Sequence, residues 1–551
     1  MIDVGKVQKP QRYIGNEWNV VKKPHADKIL ICISYPDLYE IGMSNLGLRI
    51  LYGIFNDFPD VVCERVFAPA DDYTAFLRSQ NKRLTSLETK TELGKFDVLG
   101  FNFDYELNFT NFLYMLDTAD IAIKARDRRD LIVLGGGMAN PEPLAEFVDV
   151  FYLGEFEPTA AVFIEVLRTH KDKESRLRAL SQIQGFYVPK FYCVTQEKNR
   201  YCLERIYPYA RIPIERVTVK DLDSAYYPTK WLVPHTSIIH DRVPIEIARG
   251  CPNRCTFCQA RALYYPYRER TLACVKNIAR QTYACSGYED FSFLALSASD
   301  HSSIKQLIAE MTEEFKSKRI GLSLPSLRID DIIAGLYQQL IPLKRTSLTV
   351  AVEAANETLR TNMNKNIDIN KLFEAAHVLR SLKLNHLKLY FMFGFPQETE
   401  EDLSAIGKFL EKLYRQSRIN LNVSINIFVP KPFSLWQAQP MESEECLQRK
   451  RQIIFANIAP CRNMAITVSD TKRSILEAIC SRADRAFSAV IYRAFLKGAR
   501  FEGYAERFSW QRWEESMKEE EVDYRRYLET QTTNFPWSFI TGSCSSLKEK
   551  C

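Results

Sequence analysis

The spacing of apolar positions divides the chain into alternating strands and helices. Residues 27–34, DKILICIS, and 61–68, VVCERVFA, are short apolar runs of the kind a strand buried on both faces requires. So are FDVLGFN (96–102), LIVLGGG (131–137) and VDVFYLG (148–154). Between them, SNLGLRILYGIFND (44–57) and NFTNFLYMLDTA (108–119) repeat their apolar residues at helical spacing. Strand–helix alternation predicts a parallel sheet covered on both faces, with ligands beyond the carboxyl ends of its strands. This α/β unit spans 28–190, after a lead segment at 1–27. Residues 191–240 lose the helical period and carry Pro208, Pro213, Pro228 and Pro234; they read as a connector with β-structure.

A second alternating region begins at Val243. Strands are predicted at 243–249, 290–296, 320–326, 347–353, 386–393 and 421–429, with helices such as 370–383 and 399–416 between them. Six βα units over 241–465 suggest a partial (βα)6 barrel, with functional groups at the carboxyl ends of its strands. From 466 to 551 the pattern is mainly helical, charged and aromatic. Phe508, Trp510, Trp513, Tyr524 and Trp537 are expected to build a helical core, with capping of the barrel as the alternative.

Composition changes this picture little. The chain has 551 residues, 46% hydrophobic and 26% charged, and a net charge of +6. Nothing in that balance indicates nucleic acid. The first residues lack an apolar signal core, and no run reaches the roughly 18 apolar residues of a membrane span. The expectation is a soluble, cytoplasmic protein with no membrane partner. Its 14 cysteines then do not form a disulfide framework.

Three of those cysteines are clustered. RGCPNRCTFC holds Cys251, Cys255 and Cys258 in a C-x3-C-x2-C pattern, directly after the first barrel strand. A structural zinc takes four protein ligands. Three thiolates suit a 4Fe–4S cluster that leaves one iron for a small molecule. A zinc site with a distant fourth ligand is the other reading. Phe257 stands where it can shield the third ligand.

This C-x3-C-x-aromatic-C loop, at the end of the first strand of a partial barrel, resembles the radical S-adenosylmethionine (SAM) superfamily. The resemblance implies that the three cysteines hold the cluster and that SAM chelates the fourth iron. One electron, from a donor such as flavodoxin or ferredoxin, then yields a 5′-deoxyadenosyl radical. VAVEAANETLRTNMNK (350–365) and YFMFGFPQETEEDL (390–403) resemble later strand segments of the same superfamily. They imply SAM-facing roles for Glu353, Gly394 and Pro396. Ser297, Asp300, Ser326 and Arg328 stand where the family contacts the SAM amino acid part and ribose. The usual Gly-Gly-Glu is replaced here by Leu-Ser-Ala-Ser-Asp (296–300). Glu353 as a surface carboxylate and Asp300 as a helix cap are the alternatives. Arg268 and Arg270 are candidates for holding a carboxylate or phosphate, or are solvated surface arginines.

PDLYEIGMSNLGLRIL (36–51) follows the first strand and resembles the D-x-H-x-x-G loop of cobalamin-binding domains. Asp37, Tyr39 and Gly42 take the marked positions, with Tyr39 where a cobalt-ligating histidine would stand. A protonated phenol is a poor cobalt ligand. LGGG, with Gly135 and Gly136, resembles the turn that admits the corrin nucleotide tail. Phe101 and Phe103 are bulky where that family keeps small residues. Taken whole, residues 13–540 resemble the cobalamin-binding-domain radical SAM proteins, with a flavodoxin-like first domain. The expected function is SAM radical chemistry, with cobalamin-dependent methyl transfer if the corrin is held. A methylthiotransferase-like RNA-modifying enzyme and a non-catalytic iron–sulfur or SAM sensor are the alternatives. Neither the substrate nor a catalytic side chain follows from the sequence.

Overall fold

The computed structural model describes residues 5–197, 200–318, 320–323, 348–382, 384, 386–458, 463–530 and 534–542. The first domain is built on β1 (Ile29–Tyr35), β2 (Val61–Phe67), β3 (Val98–Asn102), β4 (Ile132–Gly136), β5 (Val150–Tyr152) and β6 (Phe186–Tyr187). They form one sheet in the order β2-β1-β3-β4-β5-β6. The pairs from β2 to β5 are parallel, and β6 runs antiparallel to β5. The order 2-1-3-4-5 is the flavodoxin-like one, with its switch point between β1 and β3. The continuous apolar runs have their cause in burial on both faces; every residue of β2 is buried. Helix Leu46–Asp57 starts where the Asn45 side chain accepts from the Leu48 amide, and it lies over β1 and β2.

The connector holds the hairpin β7 (Tyr192–Glu197) and β8 (Arg200–Arg205) and a short β9 (Ile214–Glu215). The barrel follows. β10 (Val243–Glu246) leads to β11 (Ala248–Arg249), which pairs antiparallel with β12 (Arg268–Glu269) and so closes the base of the cysteine loop. β13 (Asp290–Leu294) and β14 (Gly321–Ser323) join β10 in a three-stranded sheet. β15 (Leu348–Glu353), β16 (His386–Phe393), β17 (Asn420–Ile427) and β18 (Met464–Val468) form a four-stranded one. All pairs in both sheets are parallel. β18 is a strand beyond the six read from the sequence. Its alternation is weak, with no fully buried position, which is why the pattern hid it. Among the described residues no pairing joins β18 to β10, so the barrel is open.

Helices Thr471–Arg482, Phe487–Leu496 and Trp510–Glu519 form the last region. Trp513 and Trp537 are buried, and Phe487 stacks on Trp513, so these aromatics are core. β19 (Ile540–Thr541) returns to pair with β9. This region also grips the first domain: Asn140 Nδ2 donates to the carbonyls of Ser481 and Ala483, and Arg485 pairs with Glu142 at 3.0 Å.

Candidate functional site

The cysteine loop leaves β11 through Gly250, whose φ is +87°. A Cβ there would stand 2.6 Å from the Tyr264 carbonyl oxygen and 2.7 Å from that of Pro266, so only glycine fits the turn. Cys258 stands at the N-terminal boundary of the short helix Gln259–Leu263, with no capping bond from its side chain. The backbone is pinned between: Thr256 N–H donates to Met363 O at 3.1 Å, and its carbonyl accepts from Trp436 N–H at 3.0 Å. Phe257 packs on an apolar cluster of Ala354, Leu359, Met363, Phe395 and Phe428. That cluster shields one side of the loop.

The three cysteines are free and partly buried. Burial pushes the Cys255 thiol up to about 11, with the like charges of Cys258 and Cys251 adding to it and Lys365 opposing. Burial also raises Cys258, again with Cys251 contributing. Three thiolates can coexist here only beside a concentrated positive charge. No three described His, Cys, Asp or Glu side chains are gathered as ligands of a single metal ion. Around a tetrahedral zinc, thiolate sulfurs stand about 3.8 Å apart. In an iron–sulfur cubane each thiolate binds a different iron, so the sulfurs stand farther apart. Three thiolates on one loop suit a 4Fe–4S cluster that keeps one iron open to a small molecule.

Several residues named from the sequence converge on this loop. Asn253 Nδ2 lies 3.5 Å from Cys251 Sγ and donates to Asp300 Oδ2 at 2.7 Å, and Ser297 Oγ donates to the same oxygen at 2.7 Å. Asp300 is thus tied to the cysteine loop and does not cap the helix that follows, whose first turn lies at Ile304. Glu353 ends β15 at a register shift, with φ +67°. It is buried rather than a surface carboxylate, and burial pushes its carboxyl up while Lys365, 3.4 Å away, opposes. Gly394 has φ +86°, and its N–H donates to Glu398 Oε2 at 2.8 Å; Pro396 follows in the same turn. Burial raises Glu398 to about 7. Ser326 and Arg328 lie outside the described residues.

Two arginines have a different role from the one weighed for them. Arg268 bonds Glu155 at 2.8 Å and several carbonyls, and Arg270 is buried against the carbonyls of Leu222 and Ala225. Neither is a surface group, and neither is open to a ligand's phosphate. Arg249, just before the loop, pairs with Glu246, Glu155 and Glu157 at 2.9, 3.2 and 2.9 Å. Glu155 and Glu157 are distant from Arg249 in sequence, so only the fold reveals this part of the cluster.

A cavity of about 450 Å³ opens at the switch point of the first domain. Gly100, Gly135 and Gly136 line it from the sheet, Asn45 from the helix start, and Arg249 and Gly250 from the barrel. A Cβ on Gly135 would meet Phe151 at 2.8 Å, so close packing keeps that position small. Phe101 lines the cavity and narrows it. Asp37, Tyr39 and Gly42 do not line it. The Tyr39 hydroxyl is buried and donates to Glu17 at 3.0 Å, within a network in which Arg65 pairs with Glu17 and Glu88. Asp37 accepts from the Leu38 amide and from the Tyr504 hydroxyl at 2.9 Å. Gly42 packs against the Phe67 ring. The first half of the run after β1 therefore anchors the domain, while its second half, from Asn45 to Leu51, lines the cavity.

Fold and loop together define an enzyme that uses an iron–sulfur cluster beside an open parallel barrel. Comparison with known proteins agrees. The family of radical SAM proteins, N-terminal, matches residues 47–189, and the radical SAM superfamily matches 245–410. The chain belongs to the radical SAM superfamily and is a radical SAM enzyme, with a 4Fe–4S cluster and SAM as its cofactors. It is 25% identical to an uncharacterized protein of Methanocaldococcus jannaschii over 83% of this chain and 89% of that one. It is 25% identical to a ribosomal protein uS12 methylthiotransferase, RimO, of Caldanaerobacter subterraneus, over 38% of this chain and 51% of the relative. The solved structure of TsrM, a radical SAM methyltransferase from Kitasatospora setae with cobalamin and a [4Fe-4S] cluster bound, superposes with a TM-score of 0.52 at 12% identity. That match covers 90% of this chain and 99% of TsrM. No helix of the described residues is long and apolar enough to cross a membrane.

Proposed function

We propose that this enzyme holds a corrinoid in the first domain and transfers a methyl group to a small substrate at the barrel mouth. The observation that carries this reading is the switch-point cavity. It runs from the glycines of β3 and β4 to Gly250, at the root of the cysteine loop. A ligand seated there touches both the flavodoxin-like sheet and the loop that binds the cluster. The likeness to TsrM extends over nearly the whole of both chains, so the two-domain arrangement is shared as well as the barrel. The methylthiotransferase relatives match 38% of this chain or less, and the cavity favours the corrinoid reading over theirs.

When bound, the cluster and SAM supply a one-electron cleavage, and a corrinoid supplies a methyl carrier. Cys251, Cys255 and Cys258 are the ligands proposed for the cluster, with Phe257 limiting solvent access. Asp300 and Glu353 present acceptors beside the loop for the cationic amine and the hydroxyls of SAM, and Gly394 and Pro396 shape the opposite turn. Gly100, Gly135 and Gly136 admit the nucleotide tail of the corrinoid. Tyr39 is committed to Glu17 and would not serve as a ligand to the corrinoid's metal. The electron comes from a flavodoxin or ferredoxin of the cytoplasm.

The test is a visible spectrum of protein reconstituted anaerobically, incubated with hydroxocobalamin and desalted. Corrin bands should remain beside the cluster band, and Gly100→Leu, which fills the cavity, should lose the corrin bands alone. A cluster band with no retained corrin in the unaltered protein would refute the corrinoid reading.

A further inference from the structure

The strands of the second barrel sheet carry two different faces. Leu387, Leu389, Phe391 and Phe393 of β16 are buried, and Phe391 packs edge-on against Phe409 of helix Glu400–Ser417. The other face is polar and points into the barrel. Register sets Tyr390 beside Ser424 and Ser424 beside Thr467, and it sets Met392 beside Asn426. The Ser424 and Thr467 hydroxyls are 3.3 Å apart, and Ser469 Oγ donates to Asn426 Oδ1 at 2.9 Å. A filled barrel packs branched apolar side chains inside. Hydroxyls and an amide in those places make the wall of a chamber.

That chamber is a cavity of about 360 Å³ at the carboxyl ends of β17 and β18. Three parts of the chain build it. Tyr105 comes from the first domain, Asn426 and Ser469 from the barrel, and Arg473 and Ser474 from helix Thr471–Arg482. Tyr105 packs against Gly503, where a Cβ would stand 3.1 Å from its ring. Met392, whose register partner Asn426 lines the chamber, packs on the same apolar cluster as Phe257 of the cysteine loop.

The charges in the wall are unequally satisfied. Glu477 pairs with Lys431 at 2.7 Å, and Lys431 also holds Glu106 at 2.8 Å. Asp470 accepts from the Arg473 amide at 2.9 Å and so caps its helix. The Arg473 guanidinium donates to the Gly503 carbonyl at 2.9 Å and, among the described residues, makes no ion pair. Its planar fork matches a carboxylate or a phosphate.

We propose that this chamber is the substrate site. It takes a small polar molecule whose carboxylate or phosphate is held by Arg473, while Tyr105, Asn426 and Ser469 bond its neutral groups. The inference rests on the radical SAM reading and is independent of the corrinoid.

The experiment is arginine footprinting of the anaerobically reconstituted holoprotein with phenylglyoxal, read by peptide mass spectrometry. Inorganic phosphate and acetate are the two probes. Arg507, an exposed arginine paired with Asp71, is the internal control. One anion should slow modification of Arg473 at least about tenfold and leave Arg507 unchanged. Protection by phosphate assigns a phosphorylated substrate, and protection by acetate alone assigns a carboxylate. The double variant Asn426→Leu and Ser469→Leu should lose protection while Arg473 still reacts. An Arg473 that never reacts, that neither anion protects, or that is protected no better than Arg507 would overturn the proposal. The cluster absorption of each sample is recorded alongside. A failed footprint with the band intact refutes only the chamber, whereas an absent band refutes the radical SAM reading beneath it.

Discussion

Cys255 is held in a partly buried loop, with its thiol pushed up and two other thiols acting on it. Such a group is a poor free nucleophile and a good ligand once a cluster supplies positive charge. Replacing Cys255 with alanine should remove the iron–sulfur absorption at roughly 400 nm from the reconstituted protein. Retention of the full chromophore would show that the cluster has other ligands. Tyr39 gives the opposite expectation. Its hydroxyl serves the buried Glu17–Arg65 network and no cofactor. Tyr39→Phe should cost about 1 kcal/mol of stability, measured by urea denaturation, and leave corrin uptake unchanged. A variant that is fully stable yet loses corrin would show that the Tyr39 hydroxyl serves the cofactor after all. The cysteines stand out in the sequence because the spacing of such a triplet is local. Tyr39 was misplaced because a motif aligns residues along the chain but says nothing of where the side chain turns. Asn253 went unnoticed for the same reason. Its bond to Asp300 joins residues 47 apart, and no local signal marks it.

At the scale of elements, the turn after β16 depends on Gly394 and on Glu398, which accepts its amide. Burial raises Glu398 to about 7, above an unfolded value near 4.5, although Lys450 lies 3.2 Å away. The folded state therefore holds a proton that the unfolded chain has released. This contribution is present below about pH 4.5 and is lost as pH rises toward 7. Glu398→Gln should remove that loss. The variant should gain on the unaltered protein between pH 5 and 7.5, by on the order of 3 kcal/mol in urea denaturation. A difference that does not change with pH would mean that Lys450 keeps the carboxylate ionised throughout. The strands of the first domain were legible because each is apolar along its length. β18 was not, because it lies at the open edge of the barrel sheet and one of its faces is the polar chamber wall. A strand that lines a cavity loses the apolar period that sequence reading depends on.

The whole molecule is joined at Arg249. It sits at the start of the cysteine loop and pairs with Glu155 and Glu157 of the first domain as well as with Glu246 of the barrel. Arg249→Met would take one cationic partner from each of three carboxylates, leaving Glu155 with Arg268 and Glu246 with Arg270 at 3.6 Å. It should destabilise the protein by about 3–5 kcal/mol, and limited proteolysis should then cut more readily between the domains. Unchanged proteolysis and stability would show that the other links, Arg268–Glu155 and Lys431–Glu106 among them, hold the junction without Arg249. The sequence by itself determined the class of this protein. Ligand spacing, glycine turns and apolar runs act between neighbours in the chain, and from them came the cluster loop, the open barrel and the flavodoxin-like domain. Tertiary structure alone decided which residues face a cavity. It turned Tyr39, Arg268 and Arg270 into structural groups, and it set the switch-point cavity against Gly250. It also brought Tyr105, Asn426 and Arg473 to one chamber from three separate regions. Those outcomes follow from packing and charge pairing between residues distant in sequence, and no local pattern encodes them.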